Sequence, residues 1–76
     1  MALELIGIRE RGEYLLIQCA LDERLGVPFF LHKSDRREFH TEEEFQAYLT
    51  RQTRALLEEF GDARQLPYRG EREADA

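Results

Sequence analysis

The chain is poor in the residues that most often announce a chemistry. It has one cysteine, Cys19, two histidines and no tryptophan in 76 residues. A lone cysteine excludes an internal disulfide and a zinc site made of cysteines alone. No apolar run is long enough to cross a bilayer, and no basic segment leads into a hydrophobic signal region, so neither a membrane span nor a secretory leader is expected. A reducing cytoplasm is the expected location. Lysine is nearly missing too. Lys33 is the one lysine among 11 basic residues, a usage that fits a GC-rich genome and implies no mechanism. The 16 acidic residues leave a net charge of -5, which argues against a surface given over wholly to nucleic acid or anionic lipid. A local basic patch is still compatible with it.

A chain of this length forms one small domain, near the size at which a single core only just offsets chain entropy. The clearest local signal is Phe39-His40-Thr41-Glu42-Glu43-Glu44-Phe45. Thr41 is placed to accept from the N–H of Glu44, and Glu44 to reach back to Thr41, as a capping box does. The three glutamates also meet the positive end of a helix dipole, so they need no metal or substrate to explain them. The helix is predicted from about Thr41 to Phe60, with Phe45, Tyr48, Leu49, Leu56 and Phe60 on its buried stripe. Arg51, Arg54 and Glu58 face water, and Gly61 closes the helix as its C-terminal cap.

Before the helix, residues 3–10 and 14–22 read as strands joined at Glu10-Arg11-Gly12-Glu13, where glycine can take a positive φ. Strict alternation puts Ile6 and Ile8 on one face of the first strand and Leu3, Leu5 and Gly7 on the other. The second strand, Tyr14-Leu15-Leu16-Ile17-Gln18-Cys19-Ala20-Leu21, is apolar on both faces, which predicts a central strand. Asp22 to Gly26 reads as a polar turn. Val27 to Lys33 reads as a third strand, with Pro28 at its start where a missing N–H does least harm. Ser34 to Arg37 reads as another turn, and Glu38-Phe39 as a short fourth strand or a lead-in to the helix. The expected fold is α+β: an antiparallel meander of three or four strands followed by one amphipathic helix on one sheet face. Residues 1–62 form the domain. Residues 63–76 are expected to be a polar, mobile tail, in which Leu66-Pro67-Tyr68 is apolar enough to dock on the body.

One helix cannot cover both faces of such a sheet. Leu3, Leu5, Tyr14, Leu16 and Phe30 are therefore expected to form an uncovered apolar face, a patch that monomers rarely leave open. A homodimer, or another protein on that face, is the expected partner.

The residues that carry chemistry elsewhere point to no reaction. His32, Asp35 and His40 match no zinc spacing, so no metal and no cofactor is expected, and His40 is read as packing beside Phe45. Cys19 lies within an apolar strand, where burial raises a thiol's pKa and blocks access, so no catalytic role is expected. Gln52 falls in the helix stripe and is read at the sheet edge with its amide reaching water or backbone. Lys33, Arg36, Arg37 and His40 cluster about one turn and offer a positive spot for phosphate or an acidic surface. No stacking platform or reading helix accompanies them. The expected function is thus a small non-enzymatic interaction module. The alternative is a phage- or mobile-element-type regulator or inhibitor that meets nucleic acid or a nucleoprotein through that basic turn.

Overall fold

Two tight turns set the register of the sheet. The computed structural model describes residues 2–66. Strand β1 (Leu3–Arg11) and strand β2 (Tyr14–Leu21) pair antiparallel from Arg11 opposite Tyr14 to Leu3 opposite Leu21. Gly12, at φ 60°, is the first central residue of the two-residue turn between them, the position at which glycine is favoured in a hairpin. A second two-residue turn, Asp22-Glu23, leads into strand β3 (Arg24–Leu25), with Leu21 opposite Arg24. Asp22 and Glu23 both have positive φ, 50° and 67°, the mirror-image geometry that matches the twist of paired strands. The segment read as a polar turn is therefore a hairpin.

Strand β4 (Phe29–His32) pairs with the same edge of β2, with Tyr14 opposite His32 and Ile17 opposite Phe29. β3 and β4 thus lie end to end along β2, interrupted at Gly26-Val27-Pro28. Pro28 stands just before β4, where its missing N–H does little harm, and the Gln18 side-chain amide bridges the gap by donating to the Gly26 carbonyl at 3.0 Å. The sheet is four-stranded and antiparallel, and β2 is its centre, as the doubly apolar strand implies.

His32 ends β4 and caps a one-turn helix, α1 (Lys33–Arg36), its Nδ1 accepting from the N–H of Ser34 at 3.1 Å. Glu38-Phe39 is a lead-in and not a strand. The main helix, α2 (Glu42–Phe60), begins at the expected box. Thr41 Oγ1 accepts from the Glu44 N–H at 3.0 Å, and Glu44 Oε1 accepts from His40 N–H at 2.7 Å and from Thr41 N–H at 3.4 Å. Gly61 closes the helix at φ 83° by donating to Leu57 O.

α2 lies along β2, and the core between them is Ile17, Cys19, Phe29, Leu31, Phe45 and Leu49. Phe39 packs at a tilt against Phe45 and Tyr48, with ring centroids 5.4 and 5.3 Å away; it takes the place expected of His40, which is exposed. The buried residues of the helix are Phe45, Leu49, Thr53 and Leu57, each four positions after the last. That row slants round the helix, so the line of contact drifts away from Phe60, which is left exposed, and towards Leu57. Gln52 sits half-buried beside this row, and Thr53 takes the central position. The helix packs closely over Gly26, where an added Cβ would lie 3.1 Å from the Thr53 methyl and 3.3 Å from the Cys19 carbonyl.

The chain does not leave the body at residue 62. Ala63–Gln65 form a turn of 3-10 helix against β3. Asp62 caps it by accepting from the Arg64 N–H, and the Arg64 guanidinium pairs with Asp62 and donates to the Glu23 carbonyl. The remainder of the expected tail, residues 67–76, lies outside the described residues.

Candidate interaction surface

A bulge in β1 decides which side chains face the helix. Leu5 stands opposite Cys19 and Gly7 opposite Gln18, so Ile6 is an extra residue and the alternation of the strand is shifted across it. Leu3, Leu5, Ile8 and Glu10 lie on the helix side with Leu21, Cys19, Ile17 and Leu15. Glu4, Ile6, Gly7, Arg9 and Arg11 lie on the far side. The strict alternation expected from the sequence therefore fails at Ile6. Leu3 and Leu5, expected on the uncovered face, stand on the other one, and Leu3 packs against the core. Tyr14, Leu16 and Phe30 are on the far face as expected, joined by Ile6.

The far face is mixed in character. Tyr14 makes edge-on contacts with Phe30 at 5.8 Å and His32 at 5.0 Å between centroids, and Phe30 is 60% exposed. Beside this cluster, Ile6, Gly7, Arg9, Leu16, Gln18 and Pro28 line an open depression of about 280 Å³. A dish of that kind, floored by the sheet, suits another surface better than a small ligand, which is usually enclosed on most sides.

β1 is uncovered in a further respect. α2 lies over β2, so Leu5 and Ile8 remain 49% and 39% exposed even on the helix side, while Ile6 is 48% exposed on the other. Among the described residues nothing pairs with the outer edge of β1. The sequence carried one sign of this, a glycine inside a strand pattern, which commonly marks a bulge.

The basic turn is dispersed by its neighbours. Lys33 Nζ lies 3.5 Å from Glu10, and the Arg36 guanidinium lies 3.8 Å above the Phe45 ring and 3.7 Å from Glu42. Arg36 thus roofs the core, and Arg37 and His40 are left exposed. His32 Nδ1 is engaged by Ser34, and among the described residues no three His, Cys, Asp or Glu side chains come together as a metal site would require. Cys19 is 1% exposed, and burial pushes its thiol pKa up, partly offset by the Thr53 hydroxyl beside it. No helix among the described residues is long and apolar enough to cross a membrane. No protein-family model, curated protein or solved structure matches the chain.

Proposed function

We propose that this chain is a non-enzymatic interaction module that works as a homodimer through the sheet surface its own helix leaves bare. The observation that carries this is β1, a strand exposed on both faces and unpaired along one edge among the described residues, with Leu5, Ile6 and Ile8 all uncovered. Unprotected edges with apolar side chains invite pairing with another chain, and contiguous apolar surface is rarely left open in a monomer. The bare surface is more extensive than one sheet face, because β1 adds its helix-side residues to Ile6, Tyr14, Leu16 and Phe30. The cations of the basic turn support the nucleic-acid reading less well, since two of them are occupied within the fold.

Sedimentation velocity at micromolar concentration tests the proposal. The expected mass is that of two chains, and the Ile8→Glu variant, altered at a side chain that is 39% exposed, is expected to sediment as one folded chain. A wild-type mass of one chain at every concentration contradicts it.

A further inference from the structure

We infer that the second copy docks edge to edge, β1 against β1, antiparallel about a twofold axis between Ile6 and Gly7, so that the two sheets become one. This rests on the proposal of a dimer and adds its geometry.

Three conditions are met by one register, the first two of them linked because main-chain direction and side-chain face alternate together along a strand. The first is which main-chain groups are available. Gly26 donates to the Cys19 carbonyl and Asp22 to the Ala2 carbonyl, so odd-numbered β2 residues turn their main chain towards β3 and β4, and even-numbered ones towards β1. On β1 the residues opposite odd-numbered partners, Leu3, Leu5, Ile8 and Glu10, therefore direct their N–H and C=O groups to the free edge. Antiparallel pairing must match outward residues with outward residues. Setting Leu5 against Ile8 of the second copy, and Leu3 against its Glu10, does so on both sides of the axis.

The second condition is the face. A twofold axis normal to the sheet keeps each side chain on its own side, so opposed residues must share a face. Leu5 and Ile8 are both on the helix side, and Glu4 and Arg9 are both on the far side. This holds only because Ile6 is an extra residue. A shift of one position in either direction sets a helix-side residue against a far-side one. A bulge ordinarily spoils pairing with a foreign strand. Here the axis falls on it, and the identical bulge in the second copy matches it.

The third condition is charge. The same register brings Glu4 opposite Arg9 of the second copy, and Arg9 opposite its Glu4. Among the described residues neither has an ion-pair partner within the chain. Opposite charges facing each other across strands stabilise a pair, and like charges oppose it. Two Leu5–Ile8 contacts on one face and two Glu4–Arg9 pairs on the other then surround the axis.

The test is a disulfide between two different variants. Glu4 and Arg9 form a non-hydrogen-bonded pair, in which Cα atoms are about 4.5 Å apart, close enough for a disulfide. Two Glu4 residues are separated by five positions along the strand, about 17 Å, too far for one. Full-length Glu4→Cys and Arg9→Cys proteins, mixed and mildly oxidised, are expected to form a mixed disulfide that neither forms alone. The wild type serves as control, because Cys19 is buried. Glu4→Arg is expected to raise the dimer's Kd, and Glu4→Arg with Arg9→Glu to restore it. A two-chain mass without the mixed disulfide overturns this register and leaves the dimer standing on another surface. A one-chain mass overturns both.

Discussion

Thr53 faces Gly26 with its hydroxyl buried and no conventional hydrogen bond. Its methyl fits the space above Gly26, which accounts for a β-branched residue there. The hydroxyl has only the Cys19 thiol, a weak acceptor, beside it. A buried polar group without a good partner costs stability, so replacing it by a methyl of the same shape removes a penalty. Thr53→Val is expected to stabilise the protein by about 1 kcal/mol, which for a domain of this size raises Tm by about 4–8 °C. Thr53→Ser, which keeps the hydroxyl and loses the methyl, is expected to lower Tm. Thermal unfolding followed by circular dichroism checks both. A Val variant less stable than wild type would mean that the hydroxyl is satisfied after all.

At the scale of elements, Asp62 and Arg64 tie the segment that follows α2 to β3. Hydrogen bonds from the Arg64 side chain and backbone hold the Asp62 carboxyl below its ordinary 3.8, at about 2. A depressed folded pKa means the clasp is fully formed above the unfolded value and is lost as pH falls through about 2. NMR titration of the Asp62 carboxyl is expected to give a midpoint near 2, and in Arg64→Ala a return towards 3.8. An ordinary midpoint in the wild type would show that the clasp does not form in solution. Nothing in Asp62-Ala63-Arg64 announced this contact, because its third member is the backbone carbonyl of Glu23, far away in the chain. The features that could be read were local or doubly determined. Thr41 and Glu44 satisfy each other within one turn, and β2, apolar on both faces, stands at the centre of the sheet. Positions set by three-dimensional fit were not legible. The end of the α2 stripe passes to Leu57 and not Phe60 because the helix meets β2 along a slanted row. The faces of β1 depend on one extra residue, and a single bulge reverses every assignment beyond it. That is why Leu3 and Leu5 were placed on the wrong side, while Tyr14, Leu16 and Phe30, on strands without a bulge, were placed correctly.

For the molecule as a whole, the helix is too narrow for the sheet it covers. It secures β2 and β4 and leaves β1 held by one hairpin, with apolar side chains open on both faces. The net charge of -5 does nothing to cover Leu5, Ile6 and Ile8. In the proposed dimer a second copy would supply that cover without any additional segment, and its sheet edge would answer the free donors and acceptors of the first. Amide hydrogen exchange at the outer edge of β1 reads this directly. The N–H groups of Leu5 and Ile8 are predicted to be protected, and to exchange more slowly as protein concentration rises and the paired form fills. Exchange of those two amides at the rate of open backbone at every concentration, while the Cys19 amide in β2 stays protected, would contradict it.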